Sequence, residues 1–118
     1  MLYDRKQNMI KGTPHQEFYD LRRANLSVPD YQMMIKEIHR RMSERDVFAA
    51  RDISEQHLQG TVFDPVCQAC GNDEKEAGFF FGLLVKDAVQ QHPDCWYLLR
   101  EERDYYRLIV QVYCRKLI

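Results

Sequence analysis

Trp96-Tyr97-Leu98-Leu99-Arg100-Glu101-Glu102-Arg103-Asp104-Tyr105-Tyr106-Arg107-Leu108-Ile109-Val110-Gln111-Val112-Tyr113-Cys114 is the stretch on which the fold turns. Trp96, Leu99, Tyr106, Val110, Tyr113 and Leu117 recur at three- and four-residue steps, broken only at Arg103, which is the spacing of one helical face. Tyr106, Leu108, Val110, Val112 and Cys114 also alternate, as the inward side of a strand would, and Tyr, Ile and Val favour strand geometry. The charged bridge from Arg100 to Asp104 has no Gly, Pro or Asn to turn a hairpin, which favours the helix. With a helix here the chain is mainly α, a compact bundle of five to six helices with a short extended segment near 61–66. With a strand at 105–114 it is α+β.

Immediately upstream, His92-Pro93 breaks a helix expected over residues 73–90. Asn72 or Asp73 can cap it, and Glu74 and Glu76 complement the positive end of its dipole. Apolar residues at 77, 80, 81, 84, 85 and 88, widened by Phe79 and Leu83, make it apolar nearly all round, which marks it as the central helix. Gly78 and Gly82, four residues apart, would let another backbone approach closely.

Two pairs of soft ligands flank this helix. Cys67-Gln68-Ala69-Cys70-Gly71 resembles the knuckle of zinc ribbons and treble clefs over those five residues, and His92-Pro93-Asp94-Cys95 supplies a second pair at the same spacing. Together the two pairs could close one tetrahedral, structural zinc site on Cys67, Cys70, His92 and Cys95. A straight helix over 73–90 would be about 27 Å long at the α-helical rise. The pairs would then meet only through a kink at Gly78 or Gly82 or through loops that fold back. Alternatively the cysteines are small buried hydrophobes, as expected of Cys114, or Cys67 and Cys70 form a redox dithiol.

In the N-terminal half, residues 1–12 read as a loose arm. Thr13-Pro14-His15-Gln16 is a helix-start signal for residues 14–25, with Asn25 as C-cap. Asp30 opens an amphipathic segment with Tyr31, Met34, Ile35, Ile38 and Met42 on one stripe. Val28-Pro29-Asp30-Tyr31 followed by Ile35-Lys36 resembles a short piece of the bromodomain pattern, which implies acetyl-lysine reading. Glu37-Ile38-His39 stand where the pattern has proline and Met-Asp-Leu, and no functional residue carries over. Short helices capped by Ser43 and Ser54 suggest a helix-turn-helix at 44–59. Pro65 holds Asp64 out of the helical region, so 61–66 should be extended.

The chain has 118 residues and a formal net charge of -1, with apolar residues at 45%, the balance of one ordinary globular domain over 1–118. No segment has the roughly 20 apolar residues of a bilayer span. The charged N-terminus does not resemble a signal peptide, so a cytoplasmic location is expected. Near-neutral charge disfavours a broad nucleic-acid surface. With no phosphate loop and no matched acid and base, the expectation is a non-enzymatic regulatory or adaptor protein. It would bind another protein or form a homodimer through its tyrosines and Trp96. A DNA-binding regulator and a CxxC redox protein are the alternatives.

Overall fold

Residues 96–103 and 108–114 are extended, and this decides the architecture. The computed structural model describes residues 1–55, 57–103 and 108–115, with backbone alone for 101–103, 108 and 109. The elements run β1 (Leu2–Tyr3), α1 (Gln16–Arg23), α2 (Val28–Met42), β2 (Val47–Phe48), α3 (Ala50–Ser54), α4 (Asp64–Ala69), α5 (Glu74–Gln91), β3 (Trp96–Arg103) and β4 (Leu108–Cys114). β3 and β4 pair antiparallel from Tyr97↔Cys114 to Arg103↔Leu108. β1 adds parallel to β3, and β2 antiparallel to β4, giving the order β1-β3-β4-β2.

The mainly helical bundle expected from the sequence is therefore corrected to an α+β fold: among the described residues, five helices and a four-stranded mixed sheet. The physical reason is two-sided burial. Trp96, Leu98 and Tyr113 join Phe48 in the main core, while Val112 and Cys114 form a smaller cluster with Ala49, flanked by Leu99 and Val110. A helix would have presented one of these sets to water. Pairing strands alternate them between two faces and satisfy the backbone across the sheet. The first residues of the expected 105–114 strand, 105–107, lie outside the described residues.

Three other segments depart from expectation. The loose arm is in fact anchored: Leu2 is 1% exposed in the core and pairs opposite Trp96. Pro65 stands in the first turn of α4, where its missing N–H costs nothing, so 64–69 is helical and not extended. Val47–Phe48 is a strand, drawn into the sheet by the pairing of Phe48 with Tyr113, where the rings stack at 5.2 Å.

Helices with a strong 3.6-residue period form where the sequence places them. Ser27 caps α2 by accepting the Asp30 N–H, and Met34, Ile35, Ile38 and Met42 bury its inner face. Asp73 caps α5 by accepting from the Lys75 and Glu76 N–H groups. α5 packs against α1, α2, α3 and α4. Phe80, Leu84, Val85, Ala88 and Val89 on it are fully buried.

A cleft along the central helix with an unpaired lysine

The four expected zinc ligands fall in two places. Cys67 lies in α4 and Cys70 caps its C-terminus, both buried, whereas His92 caps the far end of α5 and Cys95 is exposed just beyond. α5 runs unbroken through Gly78 and Gly82 for 18 residues, about 27 Å. The two pairs thus sit at opposite ends of it. Burial pushes the thiols of Cys67 and Cys70 above their ordinary pKa, with nearby carboxylates of Asp64 and Glu76, respectively, adding to the effect. That opposes the thiolate needed for metal binding or disulfide exchange. His92 Nδ1 faces the Asp94 N–H at 3.0 Å and the Trp96 indole N–H at 3.4 Å. Among the described residues, no group of three or more His, Cys, Asp or Glu is placed to hold a metal ion.

The described residues of 44–59 do not present two helices. They hold strand β2 and the five-residue α3, after which Glu55 takes a left-handed φ of 66°. The aromatic surface is also reduced: Trp96 and Tyr113 are core residues at 0% and 3% exposure, and Tyr97 is half-buried. Tyr105 and Tyr106 lie outside the described residues.

What the fold does assemble is a cleft on the face of α5 that carries Gly78, Phe79, Gly82, Leu83 and Lys86. These positions step by one and three residues, so they form one stripe of the helix. Ala49, Ala50 and Arg51 at the start of α3 form one wall, and Val110, Gln111 and Tyr113 of β4 another; Pro14 and His15 close an end. The cavity volume is about 560 Å³, within the usual size for a small-molecule site. A β-carbon added at Gly78 or Gly82 would meet nothing within 4 Å, so no neighbouring backbone uses the space these glycines leave. They form the floor of the cleft instead of a close helix contact. Phe79, 46% exposed, stands at the rim with His15 and Phe18 edge-on to it at 5.2 and 5.1 Å.

Lys86 is the exception on the otherwise apolar α5 side of this lining. It is 7% exposed and the only buried charged side chain among the described residues, without a hydrogen bond or ion pair to any of them. Burial pushes its pKa down, with no opposing carboxylate. The Tyr113 hydroxyl likewise has no hydrogen bond among the described residues, and burial pushes the phenol pKa up. Neither Lys86 Nζ nor the Tyr113 hydroxyl is sealed from solvent without a partner, unlike Arg22 Nε and Arg45 Nε. Both residues line the cleft. Arg51 adds a guanidinium; among the described residues its side chain makes no ion pair, and neither Asp nor Glu lines the cavity. A second cavity of about 660 Å³ adjoins at Ala50, Arg51 and Gly78, with Cys67 and Glu74 in its lining.

Periodicity alone passes over Lys86, because it looks for apolar residues and tolerates one exception. The usable signal was a lysine four residues after Gly82 on a helix with almost no polar face. Comparison of the chain with family models, curated proteins and solved structures finds no match.

Proposed function

We propose that the chain is a binding protein for a small amphiphilic anion, a carboxylate with an apolar body. The body would lie over Gly78 and Gly82 against Leu83 and Val110, and the carboxylate would meet Lys86, with Arg51 drawing it in. The observation that carries this is the buried Lys86 side chain, without a counter-ion among the described residues, on an otherwise apolar face of α5. Burial imposes a desolvation cost on the charged form of Lys86, lessened by the access its Nζ keeps to solvent. An incoming carboxylate offsets that cost, and the apolar surface it covers adds about 25 cal/mol per Å². Perturbed, unpaired titratable groups in a cleft are the physical mark of a binding site.

The test is calorimetric titration with straight-chain carboxylates from butyrate to dodecanoate, beside the alcohol of each length. Octanoate should bind at least about tenfold, 1.4 kcal/mol, more tightly than octan-1-ol, and Lys86→Met should erase that preference. If no carboxylate binds, or acid and alcohol bind alike, the proposal fails. A regulatory or adaptor role is the second reading, favoured by Phe79 exposed at the rim: a partner's C-terminal peptide would bring an apolar side chain and a carboxylate to the same cleft. Competition between such a peptide and octanoate distinguishes it from binding elsewhere on the surface.

A further inference from the structure

We infer that Lys86 is a carbonyl-condensing amine, whose Nζ forms a reversible imine with an aldehyde held by its apolar body along Gly78, Gly82 and Leu83. This rests on the binding proposed for the same cleft and extends it from anions to carbonyl compounds. Three features of the site converge on it. The amine is buried on an apolar wall and, among the described residues, has no carboxylate partner that would hold it as ammonium. Desolvation favours its neutral form, the only form with a lone pair to donate. Tyr113 lines the same cavity with a hydroxyl that has no hydrogen bond among the described residues and that burial keeps protonated.

The chemistry balances without any other reagent. The Nζ lone pair attacks the carbonyl carbon, and the carbon–oxygen π pair moves to oxygen. Both hydrogens of the amine end on that oxygen, which leaves as water while the carbon–nitrogen double bond forms. Nothing is oxidised or reduced. In this scheme the Tyr113 hydroxyl, which lines the same cavity, carries the proton, giving it to the departing oxygen and regaining it from nitrogen. The four other lysines among the described residues, Lys6, Lys11, Lys36 and Lys75, are exposed and lack this apolar wall.

Octanal with sodium cyanoborohydride, at neutral pH on the full chain, traps the imine as an octyl-amine that peptide mapping locates. Octanoate titration on the same preparation reports binding independently. Lys86 should acquire the octyl group at least about tenfold faster than any other lysine, because desolvation leaves more of its amine neutral. Octanoate should slow this labelling, and Tyr113→Phe should slow it severalfold. Octanoate binding with octyl groups spread over Lys6, Lys11, Lys36 and Lys75 and no preference for Lys86 would overturn the imine and leave anion binding standing. Absence of both octanoate binding and preferential labelling would overturn both.

Discussion

Replacing Gly82, or Gly78 and Gly82 together, by alanine separates two properties of the cleft. Each glycine lies inside α5, and a β-carbon at either would meet nothing within 4 Å. The methyl group therefore neither clashes nor gains packing, and its effect on stability reduces to backbone entropy, about 0.8–1.0 kcal/mol in favour of alanine. Across 118 residues the entropy of unfolding is about 0.25 kcal/mol per kelvin, so each change should raise Tm by about 3–4 °C. With no shared neighbour to couple them, the double variant should gain about 6–8 °C. The same methyl groups occupy the floor on which a ligand would lie. Loss of one methylene's worth of contact, about 0.8 kcal/mol, weakens octanoate roughly fourfold. Differential scanning calorimetry and octanoate titration read the two effects. An unchanged or lowered Tm would mean that the space above the glycines is filled, and the cleft as described would be wrong. A raised Tm with undiminished affinity would place the ligand elsewhere.

Further predictions concern charge and capping. Because Lys86 has a lowered pKa in the fold, the unfolded chain binds the extra proton between that value and the ordinary lysine value. Stability should thus rise with pH across this window, by at most about 1.4 kcal/mol per pH unit. Lys86→Met should flatten that slope and be more stable than the parent at neutral pH, as thermal melts over a pH series would reveal; Arg51, His15 and Tyr113, which share the cleft, are unchanged in it. The pKa of His92 is pushed down, chiefly by burial and then by neighbouring His39. Stability should therefore fall as pH drops below the ordinary histidine value of about 6.5, and a urea midpoint in His92→Gln that falls just as far would exclude His92 as the cause. Asp73→Ala strips two N–H groups of their acceptor at the start of α5; it should cost about 1 kcal/mol, or about 4 °C in Tm. A loss under a quarter of that would show the cap to be replaceable by water.

The helices were legible because their signals are local. The Asp73 cap, and the apolar stripes of α2 and α5, are each written within a few turns of chain and need no distant partner. The sheet was not, because its edge strands have two residues each and exist only through pairing with residues far along the chain, Leu2 with Trp96 and Val47 with Cys114. No period can be read from two residues. In β3 the charged run from Arg100 to Arg103 hid the alternation, and chance spacing of Trp96, Leu99 and Val110 imitated a helix. Pro65 was read as a helix breaker when it is a helix starter, a distinction set by which side of the proline the helix lies on. At the candidate site, the cysteine pairs attracted attention by spacing, but separation along α5 is a three-dimensional quantity. Gly78 and Gly82 were conspicuous in the sequence, and the fold turns them from a contact into a floor. Lys86 and Tyr113 meet at one cavity only once β4 is placed beside α5.

The parallel pairing of Leu2 with Trp96 also sets a clock during synthesis. Ribosomes add about 5–20 residues per second, so Leu2 waits on the order of 5–20 s before its partner strand exists. Through that interval the main core lacks both Trp96 and the far strand that carries Tyr113, and the apolar face of α5 has only helices to cover it. Closing a loop of this length makes sheet completion the natural late event, with the helices around α5 gathering first. Translation speed between α5 and β4 is thereby coupled to how long an unfinished, adhesive surface is on display.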